Sequence, residues 1–326
     1  MLLSTVIATY NAEKYLSKCL DSLAKQDYLD FEIVIINDGS TDNSEPLIKE
    51  FILEHPELHV TYKKIPNGGP INARVTGAKL AKGEYICFID ADDYVERNYF
   101  SSFVNAIEKH HPDILCCNYF ENDNKKVIDD KFKNQYLDIE GIKKVIYPYL
   151  FRNSHYQYIH PTVWGKAFKK DIYLRNVCKE DIRIGEDLVV FIPMVLESYS
   201  MYLISAPLYH YRVVEASMIN SKKPRSYNDP IKINEILSSK IKGQEDIFEL
   251  QLDRLTAHLA FNCSITQFYT DKPKKEIFKI IDENLSHPVI AKAIKNIDAE
   301  GMKGKLMKRA LQKRRYHLME LYSKVM

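Results

Sequence analysis

Residues 83–95, Gly-Glu-Tyr-Ile-Cys-Phe-Ile-Asp-Ala-Asp-Asp-Tyr-Val, constrain the fold more than any other stretch of the chain. Tyr85 to Ile89 is an apolar run with no polar alternation, the pattern of a strand buried on both faces. It stops at Asp90, Asp92 and Asp93. Three carboxylates so close together repel one another and resist burial, which suits them to an open strand end. In open α/β sheets that carboxyl end is where ligands bind. A divalent cation between the acids would relieve the repulsion, and oxygen ligands of this kind favour magnesium or manganese carrying phosphate oxygens. The segment predicts a hard-metal site holding a phosphorylated substrate.

The flanking sequence repeats the strand pattern at regular intervals. Leu3 to Thr9 and Phe31 to Asn37 read as strands, Val60 to Lys64 as a shorter one, and Asp113 to Cys117 as a further one. Between them, Tyr15 to Lys25, Ser44 to His55, Pro70 to Ala81 and Arg97 to Lys109 have helical spacing, with Ser44 as an expected N-cap and Pro70 at a first helical position. Such alternation means a mostly parallel sheet with helices on its faces. Neither G-x-G-x-x-G nor a Walker A loop is present, which excludes the ordinary dinucleotide and P-loop sites. Asn118 to Gln135 is polar and expected to be a loop or excursion. Helical pattern returns at Ile139 to Phe151. Trp164 to Lys170 reads as a strand or turn entering a helix, and Glu186 to Leu196 as a helix. Met201 to Ser205 and Tyr209 to Val213 read as two strands. Beyond about Pro224 only helices are expected: 231–241, 246–269, 274–284 and 289–297. Two domains follow, 1–225 as an α/β ligand-binding domain and 226–326 as a helical region.

A chain of 326 residues with 28% charged residues and a net charge of +2 is no general polyanion binder, so no nucleic-acid partner is expected. Its six cysteines lack C-x-x-C spacing, which excludes a zinc or disulfide framework and suits a reducing compartment. Neither a signal peptide nor a membrane span of about 18 apolar residues is expected. The charge is uneven, however. Lys303, Lys305, Lys308, Arg309, Lys313, Arg314, Arg315 and Lys324 stand against Glu320 alone in 302–326. Leu306, Ala310, Leu311, Leu318, Leu321, Tyr322 and Val325 recur among them at roughly helical spacing. This is a basic amphipathic helix, suited either to an anionic membrane surface or to packing on its own domain.

Other segments carry candidate chemistry. Asp38 ends the second strand and is followed by Gly39-Ser40-Thr41-Asp42. Its carboxylate can accept a hydrogen bond from a base or ribose, or simply cap the turn. Asn67-Gly68-Gly69 opens a helix whose Arg74 can reach a phosphate or nucleoside, or lie exposed. Asp90 and Asp92 alternate along a strand end and can face one cleft, with Asp93 turned away as a cap. Glu186-Asp187 follows Gly185; a general base or a pair of dipole-stabilising acids fits there. His210 is a candidate metal ligand or a structural histidine, and Arg212 a partner for a diphosphate. Trp164 can stack on a sugar face with Lys166 beside it, or lie in the core.

Taken in order, Val6-Ile7-Ala8-Thr9-Tyr10-Asn11, Asn37-Asp38-Gly39-Ser40-Thr41-Asp42, Asn67-Gly68-Gly69, Asp90-Ala91-Asp92-Asp93, Trp164-Gly165-Lys166 and Gly185-Glu186-Asp187 resemble family 2 glycosyltransferases of the GT-A fold. The resemblance covers about residues 1–220. It implies a Rossmann-like nucleotide-sugar-binding sheet with a helical C-terminal extension. It also implies an inverting, metal-dependent transferase using a nucleotide-diphosphate sugar such as UDP-Gal, UDP-Glc or UDP-GlcNAc. Asp38 would then contact the base with Thr9 and Tyr10 beside it, Arg74 would lie near the nucleoside, Asp90 would touch the ribose, and Asn11, Asn67, Gly68 and Ala91 would be further nucleotide-sugar contacts. Asp92 would bind Mn or Mg, with His210 a further metal candidate. Arg212 and Ser217 would lie by the diphosphate. Asp187 would be the catalytic base, Glu186 its neighbour, and Trp164 and Lys166 acceptor contacts. No Gln-x-x-Arg-Trp motif follows, which points to a non-processive enzyme.

The expected acceptor is a glycan, lipid-linked saccharide or glycoprotein of a bacterial cell envelope. The helical region would serve acceptor binding, a homodimer surface or membrane docking. The expected location is the cytoplasm, with peripheral contact at the inner face of the membrane. The alternatives are a sugar nucleotidyltransferase, disfavoured because its Gly-rich, basic N-terminal loop is missing, and an inactive sugar-binding scaffold.

Overall fold

Four strands of the N-terminal third make a parallel array. β1 (Leu3–Thr9) pairs with β2 (Glu32–Asn37) and with β4 (Tyr85–Phe88), and β2 with β3 (His59–Lys64). β1, β2 and β4 are buried almost throughout, as unalternating apolar runs require when both sheet faces are covered. The cover comes from α1 (Glu13–Ala24), α2 (Ser44–Glu54), α3 (Gly69–Leu80) and, after the short β5 (Tyr94–Val95), α4 (Tyr99–His110). The computed structural model describes residues 1–122, 125–127, 133–151, 159–178, 180–214, 222–298 and 301–325.

The rest of the sheet is mixed. β6 (Ile114–Glu121), β7 (Lys125–Val127), β8 (Gln135–Asp138), β9 (Lys166–Lys169) and β10 (Ser200–Tyr211) extend it to ten strands among the described residues: eight in the order β3-β2-β1-β4-β9-β6-β10-β5, with β7 paired to β6 and β8 to β10 off that path. β9 runs antiparallel between β4 and β6, while β10 is parallel to β6. The two strands expected at 201–205 and 209–213 are one. Pro207 cannot donate to the ladder, and the register shifts on both sides of it, but the strand continues. The core of this unit runs from Leu3 and Ile7 through Leu16, Phe31, Tyr85 and Phe103 to Tyr209. At the amino ends of the strands a buried Glu32 accepts from Ser4 Oγ and from the Lys82 amide, both at 2.7 Å, which satisfies an otherwise costly charge.

The helices after β8 are α5 (Ile139–Val145), α6 (Lys170–Arg175), α7 (Leu188–Glu197), α8 (Asn228–Ile241), α9 (Ile247–Thr266), α10 (Lys274–Leu285), α11 (Pro288–Asn296), α12 (Gly301–Gln312) and α13 (Tyr316–Ser323). The chain divides into two compact units. One comprises 1–144, 162–179 and 194–214; the other comprises 145–161, 180–193 and 215–326. Segments 145–161 and 180–193 thus cluster with the C-terminal helices, and the chain changes unit inside α7, at Pro193. Ala257, Phe261, Ile281, Ile290, Ala310, Leu311 and Met319 form the core of the helical unit.

Two local expectations are corrected. Ser44 is not the cap of its own helix: its Oγ accepts from the Ala12 amide at 2.9 Å, and Asn43 precedes the helix. The basic tail is two helices, not one, broken where Arg314 takes a φ of 48°. Their apolar residues Ala310, Leu311 and Met319 are buried in the unit's own core.

Candidate active site at the carboxyl edge of the sheet

The turns that leave β1 and β2 are tied into one surface. Asn11, with φ at 49°, accepts from the Thr41 amide at 2.9 Å, while its own amide donates to Ser40 Oγ at 3.1 Å. Asp42 accepts from the amides of Glu13 at 2.9 Å and Ser44 at 3.0 Å, and Glu13 accepts from the Asn43 amide at 3.0 Å. Each turn thereby caps the helix that starts in the other. Burial raises the Asp42 carboxyl, but the amides of Glu13 and Ser44 outweigh it and hold the group below its ordinary range. Beside these turns Thr9 is fully buried, and Tyr10 is exposed at 53%.

Asp38 is buried and holds a loop in place. Its two carboxylate oxygens accept from the amides of Gly68 and Gly69, each at 2.8 Å, and its carbonyl accepts from Asn67 Nδ2 at 3.0 Å. Gly39 makes this possible. Its φ is 74°, and a Cβ there would stand 2.9 Å from the Asn67 amide nitrogen. Asn67 and Gly68, read from the sequence as nucleotide contacts, are in the structure the partners of Asp38. One amide per oxygen leaves acceptor capacity on the carboxylate.

The acid cluster lies at the end of β4, next to these turns. Ligand oxygens of Asp90, Asp92 and Asp93 all fall within 4.8 Å of one another, forming the one such group among the described residues. Asp90 Oδ1 accepts from Arg74 Nη2 at 2.9 Å, and the pair is largely buried, so Arg74 is no exposed surface residue. Ala91 is buried between the acids. Burial first, then the charge of Asp90, pushes the Asp92 carboxyl up to about 6. The same causes, with Asp92 added, push Asp93 up to about 8. Carboxylates that resist ionisation together, all oxygen donors and close enough to share one ion, fit a hard divalent cation.

Asp93 is not the turn cap expected from its position. It accepts from Tyr209 Oη at 2.7 Å and from the Arg212 amide at 2.8 Å, joining the acid loop to β10. Tyr209 Oη also accepts from the Asp90 amide at 3.1 Å. The sequence assigned Tyr209 to a late strand beside Arg212 but gave it no role of its own; its signal was its place, one residue out of step with His210. The Arg212 guanidinium donates to the carbonyls of Asp92 and Tyr15 and lies over the Tyr15 ring, 5.1 Å from its centre.

His210 does not belong to the group of carboxylates that could share an ion. Strand alternation sends it to the face opposite Tyr209. There it stacks on Tyr94 at 4.1 Å and Phe120 at 4.6 Å and shares a 2.6 Å hydrogen bond with Glu96. Trp164 and Lys166 are both buried. Trp164 is 7% exposed and stacks on Tyr209 and Tyr211 at 4.9 and 5.3 Å. Lys166 is 3% exposed and donates to Thr162 Oγ1 at 3.1 Å. Ser217 lies outside the described residues.

In the helical unit, Glu186 and Asp187 form a half-buried turn leading into α7; the Asp187 carbonyl accepts from the Phe191 amide at 2.8 Å. Gly185 before them has a φ of 90°.

Comparison with known proteins places this architecture. The chain is 30% identical over 224 residues to the glycosyltransferase GlyA of Streptococcus pneumoniae, covering 66% of this chain and 31% of that protein. It is 26% identical over 285 residues to the poly(ribitol-phosphate) beta-N-acetylglucosaminyltransferase TarS of Staphylococcus aureus, covering 85% and 47%. The matched segment thus spans less than half of either relative. The crystal structure of S. aureus TarS 1–349 in complex with UDP-GlcNAc superposes with a TM-score of 0.70 at 20% identity, over 100% of this chain and 90% of that one, which shows a shared GT-A fold. A mannosyltransferase from Pyrobaculum calidifontis, solved with GDP-Man and Mn2+, gives 0.52 at 16% identity, over 99% and 86%. The sequence profile described as Glycosyl transferase family 2 matches residues 4–179, more than half of the chain, and the protein belongs to that family.

Proposed function

We propose that this protein is an inverting, metal-dependent, non-processive glycosyltransferase that moves one sugar from a UDP-sugar to a cell-envelope acceptor. The observation that carries the reading is the Asp90–Asp92–Asp93 cluster at the carboxyl edge of a parallel sheet, in a chain of this family. TarS, which shares the fold, was solved with UDP-GlcNAc and with UDP, and this supports a uridine donor.

The residues divide the task. Tyr10 offers an exposed ring to the base, and Asp38 offers its remaining lone pairs to the base or ribose. Asp90, held by Arg74, serves the ribose. Asp92 is the principal ligand for Mn or Mg, an ion that when bound offsets charge on a leaving diphosphate. Arg212 adds a fixed positive charge beside the same loop. Asp187 accepts the proton of the attacking acceptor hydroxyl, with Glu186 beside it. Attack from the face opposite the diphosphate inverts the anomeric centre. Residues 302–326 contact an anionic membrane surface, which suits a lipid-linked acceptor in the cytoplasm.

Transfer from a panel of nucleotide sugars, with and without Mn, tests the reading. Asp187→Asn is expected to lose at least 10³-fold in kcat while donor binding stays within about twofold. Asp92→Ala is expected to lose the metal dependence of nucleotide binding. Full transfer by Asp187→Asn, or metal-dependent binding retained in Asp92→Ala, would overturn the corresponding assignment.

A further inference from the structure

One face of α8 holds the segment that leads to Glu186 and Asp187. Asp229, Lys232 and Ile233 occupy positions i, i+3 and i+4 of that helix and share a face. The Arg183 amide donates to Asp229 Oδ1 at 3.4 Å, and the Ile184 amide to Oδ2 at 3.2 Å. Lys232 Nζ donates to the Asp181 carbonyl at 3.1 Å and lies 3.6 Å from Glu180 Oε2. Ile233 closes the third side: a Cβ on Gly185 would stand 3.0 Å from its Cδ1. Asp229 is only 6% exposed. An acid in the first turn of a helix is favoured by the helix dipole alone. That does not explain why both oxygens turn to consecutive amides about 45 residues earlier in the chain.

Two adjacent amides bound by one carboxylate fix the orientation of the peptide between Arg183 and Ile184. Gly185 then reverses the chain in a conformation that larger residues disfavour, and Asp187 follows two residues on. We propose that Asp229 is a positioning residue for the Glu186–Asp187 turn, fixing the backbone from which the base projects. This rests on the reading of Asp187 as that base. Asp229 acts only through the backbone. A general base must stand within hydrogen-bond reach of its proton, and displacement by about 1 Å can cost on the order of 100-fold in rate.

The test compares Asp229→Asn, Asp229→Ala and Asp187→Asn in the full chain by transfer kinetics and amide hydrogen exchange. Asp229→Asn keeps the side-chain volume and one acceptor oxygen, so it remains informative if the alanine variant fails to fold. Both Asp229 variants are expected to speed exchange at Arg183 and Ile184 and to lower kcat by about 10- to 100-fold, with donor KM unchanged. Asp187→Asn is expected to abolish kcat and leave that exchange as in the parent. A kcat per folded molecule equal to the parent's, or unchanged exchange, in the Asp229 variants would overturn the proposal. Activity retained by Asp187→Asn, with exchange still accelerated in Asp229→Asn, would instead sink the base assignment.

Discussion

Asp42 shows how a single carboxylate serves two turns. It was legible only as part of a turn sequence, since nothing in the order Asp-Asn-Ser says that its partner amide lies at Glu13. Its carboxyl is held low in the folded protein. The stability it contributes is therefore fully present above the ordinary carboxylate pKa and is lost as pH falls through the depressed folded value. Asp42→Ala is expected to destabilise the protein by about 1 kcal/mol and to flatten the acid limb of its unfolding curve. Denaturant unfolding between pH 7 and pH 3 checks both. An unchanged midpoint would show that the Glu13 and Ser44 amides are satisfied without it. The positions of Asp38, Asp90 and Asp92 were legible because each follows closely on a strand run. The role of Asp93 was not, because its partners Tyr209 and Arg212 lie more than a hundred residues away.

Elements with strong periodicity were read nearly to their ends: β1, β2, β4, α3 and α4 agree with the sequence pattern within a residue or two. The misreadings cluster around β10. A proline that ordinarily ends a strand sits in its middle, tolerated because the register slips around it. Alternation on the same strand separates Tyr209 and Tyr211, which pack on Trp164, from His210, which packs on Tyr94 and Phe120. A lone Trp looks the same in a sequence whether it meets a sugar or a core. Here it fills the core, so Trp164→Ala is expected to cost about 3–5 kcal/mol of stability. Thermal unfolding beside acceptor kinetics separates the two: a raised acceptor KM without a lowered midpoint would restore the sugar-stacking role.

At the scale of the whole molecule, charge is the most legible property and packing the least. The cations of 302–326 were plain in the sequence. That Ala310, Leu311 and Met319 belong to the core of the helical unit was not, because helical spacing does not say what a face meets. Met302, Leu321 and Val325 remain exposed among the cations, at 80%, 60% and 81%. Deleting the tail would open the core, so charge reversal is the cleaner probe of membrane contact. Lys305→Glu with Arg309→Glu, both exposed, is expected to weaken sedimentation with vesicles of anionic lipid by at least 10-fold while leaving neutral vesicles unaffected. Equal binding by the parent and the double variant would remove the tail from the membrane. Among the described residues no helix is long and apolar enough to cross one. The bond between Asp93 and Arg212 joins residues 119 apart. During synthesis the parallel strands can pair while the acid loop still lacks that anchor, and at about 5–20 residues per second the remaining stretch takes some 6–24 seconds to appear. A nascent chain therefore passes through an interval with its sheet begun and its acid loop untethered, in which binding of a nucleotide or metal should lag behind folding of the first strands.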